Sequence, residues 1–387
     1  MSLVLERVLP LVTSQSVNCL GFLNRDSVVV SGGNDGKVVL WHLDSHARYI
    51  IDLGSPVLCL ASVSHEGIEL VCGLADGCLM TVELENFHET PKITHRVAHT
   101  CPIVTVAYNS KWHFLFTGGQ EDGIQVWRPF KIDSDQIRWL KEASLEANAV
   151  ENGQIVQALG FADDEDTLVV TYVEGVILLL DVVTGLTMKK FEVGQLILSS
   201  FIDPSMTRIL VSTAKNGFEI RSLLNGSIDA SDSISSQSTL FLGPVAFLST
   251  QMVALSDPSG DLQILRPFET NGIAERCNHD GEVISALATS CRFVTTATLA
   301  KESSVIRLWS FSSKPPDCHS MSPLEYKGKP DPELMIVDMA QTPGFLYSSF
   351  VVQATFVAVL LFFFSQIWLD GPELGVFTSF VDIVQDL

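Results

Sequence analysis

Short apolar runs alternate with glycine-containing turns through about the first 310 residues of this 387-residue chain. The repeating unit is an apolar strand, a turn, a second strand ending in small residues, a hairpin with Gly, and a third apolar strand. It recurs at a spacing of roughly 40 to 55 residues, most clearly over 16–41 and 103–127. Gly, Asn and Asp suit such hairpins because they tolerate positive φ. The pattern predicts seven copies of one all-β unit.

The middle copies are degenerate. Their hairpins contain Gly at different positions, and only the first, third and last copies end in Trp. The corresponding turns lie at 73–77, 172–175, 214–217 and 257–261, and the last copy ends at Trp309.

The turns Ser-Gly-Gly-Asn-Asp-Gly (31–36) and Thr-Gly-Gly-Gln-Glu-Asp-Gly (117–123), each followed by a Trp, resemble those of the WD-repeat family. The resemblance implies an all-β fold, a seven-bladed WD-repeat-type β-propeller. Residues 1–312 would form it, with strand 3–9 supplying the fourth strand of the last blade. The insertion at 130–153 is expected to be a loop or a short helix, and the Ser- and Asp-rich segment 225–237 a solvated loop.

In this family a His, a Ser or Thr, the hairpin Asp and the closing Trp form a buried hydrogen-bonded set. The resemblance therefore implies a structural tetrad in the third copy. In the first copy Ser31, Asp35 and Trp41 match three of the four positions, and the His is missing. The last copy has His279 and Trp309 without an obvious Asp. The matching residues of the third copy are His99, Thr117, Asp122 and Trp127.

The end of the chain has a different composition. No charged side chain occurs from 339 to 369, and about 20 apolar residues are enough for a helix to span a hydrocarbon core. We predict a Pro-rich linker (313–344), one transmembrane helix (345–369) and a short acidic amphipathic tail (370–387). Residues expected in the span include Phe350, Phe356, Leu360, Phe363 and Trp368.

The distribution of basic residues predicts how the span is oriented. Lys329 is the last basic residue, so the positive-inside rule places the linker and the propeller in the cytosol. A span this close to the end of the chain resembles a tail anchor. Its acidic flank favours the endoplasmic reticulum over the outer mitochondrial membrane.

Charge and motifs restrict the chemistry. The 24 basic and 45 acidic residues give a formal net charge of −21, which argues against nucleic-acid binding. Eight scattered cysteines without a CxxC pair predict a reduced, cytosolic-type domain. We find no phosphate-binding loop or hydrolase motif, and predict no catalytic, cofactor or metal site. A zinc site is disfavoured among the four histidines His88, His95, His99 and His113. His95 and His99 are four residues apart, which brings side chains together on a helix, whereas strands and loops are predicted for this region.

Acidic hairpin tips are the candidate surface for a basic protein partner, because propeller loops of one kind gather on one rim. The candidate rim consists of Asp76, Glu121, Glu174 and Asp261.

The predicted function is a non-enzymatic, membrane-anchored scaffold or adaptor. A first alternative is a nucleotide exchange factor, because the arrangement resembles the endoplasmic-reticulum factor that loads GTP onto the small GTPase of the COPII coat. The first repeat has no extended Gly-rich loop, so the functional residues of that factor cannot be transferred. A second alternative is an accessory subunit of a large membrane complex.

Overall fold

The computed structural model describes most of the first 311 residues and one later segment. The described ranges are 3–10, 16–63, 68–84, 89–131, 137–145, 154–214, 217–232, 243–257, 260–269, 273–290, 292–299, 304–311 and 335–337. The chain divides into two units, Met1–Thr342 and Pro343–Leu387. The predicted span (345–369) and tail (370–387) lie outside the described residues, as does the predicted linker apart from 335–337.

The described strands form seven antiparallel sheets of four strands, one of which gains a fifth strand. In chain order the first strands are β1 (Leu3–Pro10), β2 (Val17–Leu23), β3 (Val28–Gly33), β4 (Lys37–His42), β5 (Arg48–Asp52), β6 (Val57–Ser62), β7 (Ile68–Leu74), β8 (Cys78–Leu84), β9 (Lys92–Val97), β10 (Ile103–Asn109), β11 (Phe114–Gly119), β12 (Ile124–Lys131), β13 (Ile137–Leu145), β14 (Val156–Ala162) and β15 (Thr167–Tyr172). The remaining strands are β16 (Val176–Asp181), β17 (Thr187–Glu192), β18 (Ile197–Ile202), β19 (Arg208–Thr213), β20 (Gly217–Ser222), β21 (Ile228–Asp232), β22 (Val245–Ser249), β23 (Met252–Ser256), β24 (Leu262–Leu265), β25 (Ile273–Cys277), β26 (Val283–Thr289), β27 (Phe293–Leu299), β28 (Val305–Phe311) and β29 (Met335–Val337).

The sheets close into a ring. Blades 1 to 6 are β2–β5, β6–β9, β10–β13, β14–β17, β18–β21 and β22–β25, and blade 7 is β26–β28 with β1 as its outer strand. The first strands of successive blades contact one another around the ring, and β26 contacts β2 to close it. Leu5 pairs with Trp309, so the N-terminal strand lies in the last blade. Both ends of the propeller are therefore held in one sheet, and the fold is a closed seven-bladed propeller.

Within each blade we call the strands a to d from the channel outward. Because neighbouring strands are antiparallel, the b–c hairpins and d–a connections lie on one face, the b–c face. The a–b and c–d turns lie on the opposite face, the a–b face. In blade 1 the amide of Leu53, after strand d, donates to the Gly36 carbonyl in the b–c hairpin at 2.8 Å. That hydrogen bond joins the two kinds of connection on the b–c face.

The core lies between adjacent blades. Val30 and Leu40 of blade 1, for example, pack in one cluster with Leu70 and Met80 of blade 2. Full burial of each such side chain stabilises the fold by about 1.5–3 kcal/mol. Every blade depends on its neighbours, because no single sheet buries both of its faces.

Small residues end the second strands because the next blade approaches there. A Cβ built on Gly32 would come within 2.5 Å of Val57 Cγ1, and one on Gly118 within 2.8 Å of Val156 Cγ1. Val57 and Val156 each begin the inner strand of the following blade. The Gly-Gly pairs in the sequence are therefore contact points between blades as well as parts of turns.

Two expectations about irregular segments were wrong at least in part. Residues 137–145, in the expected loop or short helix, form β13, the outer strand of blade 3. Residues 228–232, in the expected solvated loop, form β21. Part of the expected linker forms β29, which pairs in parallel with β5. In each segment an open sheet edge offers backbone hydrogen bonds that local sequence preference does not reveal.

Candidate functional site

The third blade contains a continuous hydrogen-bonded tetrad. The Trp127 indole donates to Thr117 Oγ1 at 2.9 Å, and Thr117 Oγ1 lies 2.7 Å from His99 Nε2. His99 Nδ1 lies 2.5 Å from Asp122 Oδ1. Because the Asp122 carboxylate can only accept, His99 Nδ1 donates to it, which leaves Nε2 to accept from the Thr117 hydroxyl. The structure thus brings together the four residues that the resemblance implied, and joins strands b and c of blade 3 to the connection before it.

Asp122 lies at the centre of a second set of donors. The Thr100 amide donates to Oδ2 at 2.9 Å, and the Cys101 thiol donates to Oδ1 at 3.0 Å. Burial opposes ionisation of Asp122, but the hydrogen bonds from Cys101, Thr100 and His99 outweigh it and lower the pKa of the carboxyl group. Burial and the bond to Asp122 raise the pKa of the Cys101 thiol. Asp122 therefore stays ionised as an acceptor, and Cys101 stays a neutral donor.

The first blade has the matching residues without the network. Asp35 Oδ1 accepts the Lys37 amide at 3.1 Å, which closes the hairpin. Asp35 Oδ2 and Trp41 Nε1 are buried and have no hydrogen-bond partner among the described residues. Ser31, Asp35 and Trp41 are therefore not joined as Thr117, Asp122 and Trp127 are.

The last blade has three members of a tetrad. His279 Nε2 lies 2.8 Å from Thr296 Oγ1, and the Trp309 indole donates to the same oxygen at 3.3 Å. Sequence analysis missed Thr296. The strand register identifies it, because Trp309 pairs with Val294 as Trp127 pairs with Leu115. Thr296 and Thr117 each lie two residues after the residue that pairs with the Trp. Burial lowers the pKa of His279, which keeps the ring neutral.

The four candidate rim residues all belong to b–c hairpins, so they lie on one face, but their environments differ. Asp76 and Glu121 are exposed, although Asp76 Oδ1 also accepts the Cys78 amide at 2.9 Å. Glu174 is half-buried, and both of its oxygens lie 3.2 Å from the Ile155 amide that donates to them. Burial raises the pKa of Glu174 despite these bonds. Asp261 is also half-buried, so Asp76 and Glu121 are the two that present carboxylates to solvent.

One group of side chains in the described residues has the donor atoms for a metal ion: His99, Cys101 and Asp122, whose ligand atoms lie within 4.8 Å of one another. These atoms already bond to one another, and His99 Nε2 is held by Thr117. A metal ion there would displace the tetrad, so we assign the group a structural role. His88 lies outside the described residues, and neither His95 nor His113 belongs to the group.

The closed ring of seven four-stranded blades, with complete and partial His-Thr-Trp networks, defines a β-propeller built from repeats. Residues 7–42 match the family model described as WD domain, G-beta repeat. This match, together with the seven-bladed fold, supports the WD-repeat propeller family for this chain. No curated protein is similar enough to the chain to count as a relative. Propellers of this family are typically scaffolds for protein interaction.

Proposed function

We propose that this chain is a membrane-anchored adaptor that holds a protein partner at the cytosolic surface of a membrane and catalyses no reaction. The observation that carries the proposal is the combination of a closed WD-repeat propeller with an uncharged apolar segment near the end of the chain. The propeller supplies two faces of turns for binding, and the segment supplies the attachment.

The scaffold role follows from how the polar groups are used. The His, Cys and Asp side chains around Trp127 bond to one another and hold blade 3 to the connection before it. By contrast, Asp76 and Glu121 extend carboxylates from the b–c face. A rim of this kind attracts basic partners and increases their rate of association.

Sequence supports the membrane attachment. Within the described residues, no helix is long and apolar enough to cross a membrane, and the predicted span (345–369) lies outside them. The span contains no charged residue, whereas insertion of one Lys at the centre of such a helix costs about 2.5–3.5 kcal/mol. We place the propeller on the cytosolic side and favour the endoplasmic reticulum over the mitochondrion.

Alkaline carbonate extraction of cell membranes tests the attachment. We expect the full-length chain to stay in the membrane pellet, and a variant with Leu360→Lys and Phe363→Lys to be extracted. Thr355→Lys at the polar position of the run is a milder comparison, expected to be extracted partly. Complete extraction of the unmodified chain would contradict the attachment.

Purification from membranes in mild detergent tests the adaptor role against its two alternatives. If the chain is an adaptor, we expect a protein partner to co-purify with it at a stoichiometry below one that varies between preparations. A constant set of membrane subunits at equal stoichiometry would instead identify an accessory subunit. Acceleration of nucleotide release from a co-purified small GTPase would identify an exchange factor.

The first blade gives no support to the exchange-factor alternative. Its b–c hairpin is short and is bonded to the inner strand: Asn18 of β2 donates from Nδ2 to Asn34 Oδ1 at 2.7 Å, and Asn34 donates to Ser16 Oγ at 2.6 Å. The turn consists of residues 34–36 alone, and these bonds hold it against the start of β2.

A further inference from the structure

Blade 1 differs from the other blades in having a fifth strand at its outer edge. Residues 335–337 (β29) pair in parallel with residues 49–51 of β5, and Ile336 lies opposite Ile50. The sheets of the other six blades have four strands each. The outer edge of β5 therefore accepts an extended segment, and the chain itself provides one.

The sequence of β5 explains why this edge, rather than another, is occupied. An open strand edge offers unpaired backbone groups to any other strand, and proteins discourage such pairing with charged side chains in the edge strand. The other six outer strands each contain at least one charged residue between their first and last positions, for example Lys189 in β17 and Glu275 in β25. The interior of β5 is Tyr49, Ile50 and Ile51. This edge thus lacks the charges that protect the others.

Side chains on both faces of β5 are packed, which fixes its backbone. Tyr49 and Ile51 belong to the core cluster between blades 1 and 2, and Ile50 belongs to the cluster that blade 1 shares with blade 7. All three are at most 3 % exposed. By contrast, five of the six residues of β17 in blade 4 are exposed. The edge of β5 is therefore a well-fixed row of backbone hydrogen-bonding groups.

The ladder between β4 and β5 determines which backbone groups face β29. The Leu53 amide donates to the Gly36 carbonyl, which continues that ladder by one residue. Hydrogen-bonded pairs alternate with non-bonded pairs in an antiparallel ladder, so Ile50, three residues earlier, points its amide and carbonyl away from β4. In the parallel pairing these two groups bond the carbonyl of the residue before Ile336 and the amide of the residue after it, Val337. The pairing therefore uses the Val337 amide and not the Ile336 amide.

We propose that the outer edge of blade 1 is a docking site for an extended apolar segment of a protein partner, and that residues 335–337 are its built-in competitor. In the closed state β29 covers the edge, and in the open state the partner's strand takes the same place in parallel with β5. The inference rests on the proposed adaptor function and adds a contact site and its control. A competitor of three residues makes few backbone bonds and is exchangeable, whereas its attachment to the same chain keeps its effective concentration at about 1 mM.

A fluorescein-labelled peptide with the chain's own sequence over 332–340 tests the edge. Fluorescence anisotropy measures its Kd for the full-length chain in lipid nanodiscs. Val337→Pro removes the amide that bonds Ile50 and should release β29. We expect the Kd of the peptide to fall about tenfold, because a tethered competitor at about 1 mM weakens a peptide whose own Kd is about 0.1 mM by that factor.

Ile336→Pro is the matched control. It introduces the same residue one position earlier, where the amide points away from β5 and where an edge strand tolerates Pro. We expect the Kd to stay at the value of the unmodified chain. Equal Kd values for the two Pro variants would overturn control by β29. No binding of the peptide to Val337→Pro at up to about 1 mM, the effective concentration of the tethered strand, would overturn the docking site.

Hydrogen exchange measures release of β29 without any peptide. Exchange in residues 48–52 is expected to be faster in Val337→Pro than in Ile336→Pro, because the Ile50 amide loses its acceptor. Exchange in β17, whose sheet has four strands, should be the same in both variants and verifies that both fold. Equal exchange of residues 48–52 in the two variants would contradict the pairing on which the proposal depends.

Proximity labelling in cells separates this proposal from the adaptor function. The peptide and exchange measurements involve no partner, so their failure leaves the adaptor role standing. A cytosolic neighbour enriched by Val337→Pro over Ile336→Pro would support both. Equal neighbours for the two variants would overturn control by β29 and leave the adaptor role intact. If neither the variants nor the unmodified chain have enriched protein neighbours, the adaptor role falls.

Discussion

Thr117→Val tests whether the tetrad of blade 3 is a working hydrogen-bond network. Val has nearly the shape of Thr, so the change removes the hydroxyl without opening a large cavity. Thr117 is fully buried and bonds both the Trp127 indole and His99 Nε2, at 2.9 Å and 2.7 Å. Each buried polar group left without a partner costs about 1–3 kcal/mol, and two groups lose theirs, so the expected loss is about 2–6 kcal/mol.

Ser31→Ala in blade 1 is the comparison. Ser31 occupies the equivalent position, but the Trp41 indole there has no hydrogen-bond partner among the described residues. We expect Ser31→Ala to cost less than about 1 kcal/mol, because there is no network to break. Urea unfolding of the full-length chain, followed by tryptophan fluorescence, measures the shift in midpoint for each variant.

Hydrogen exchange locates the effect. Thr117→Val is expected to accelerate exchange in β10–β12 more than in β2–β4, because blades open locally before the ring unfolds. A midpoint shift for Thr117→Val no larger than that for Ser31→Ala would refute the reasoning and make the tetrad a geometric coincidence.

Three further predictions concern burial and packing. Burial raises the pKa of Glu174, so the protonated carboxyl group is favoured in the folded protein. Its contribution to stability is fully present below the pKa of the unfolded state and is lost as pH rises through the pKa of the folded state. Glu174→Gln should therefore raise Tm near pH 7 and leave it unchanged near pH 3.5. A gain at both pH values would contradict this. Trp139→Phe removes the indole that donates to Thr81 of blade 2 at 3.0 Å, and should lower stability by about 1–3 kcal/mol in urea unfolding, whereas a neutral result would mean that the contact between blades contributes little. Gly32→Val places a side chain against Val57 and should cost at least about 1–3 kcal/mol; a wild-type Tm would show that the neighbouring blade can move aside.

Repeat periodicity made the ring predictable. The Gly-containing hairpins, the alternating strands and the spare N-terminal strand are all local or periodic signals, and β1 indeed lies beside β28. Blades with degenerate motifs could still be predicted from their apolar strands and turns alone. These suffice to form a blade, because the neighbouring blade supplies the other half of each core.

The outer strands were harder to predict. β13 begins in a polar segment and contains Arg138, Lys141 and Glu142, which read locally as a loop or a short helix. Pairing with β12 and burial of Trp139 against blade 2 decide its conformation, and neither is visible in a local window. The same applies to β21, whose partner strand is β20.

The candidate sites show a similar division. The tetrad of blade 3 was predictable from its motif, whereas Thr296 required knowledge of the strand register. Glu121 and Glu174 both lie in b–c hairpins, and the hairpin sequences did not reveal that Glu121 is exposed and Glu174 half-buried.

Proximity labelling of the full-length chain in cells, compared with the Leu360→Lys and Phe363→Lys variant, tests the central claim most directly. The account predicts that the unmodified chain labels membrane proteins together with one or more cytosolic partners, and that the variant loses the membrane neighbours. Identical neighbours for both chains, none of them in a membrane, would contradict the claim of a membrane-anchored adaptor.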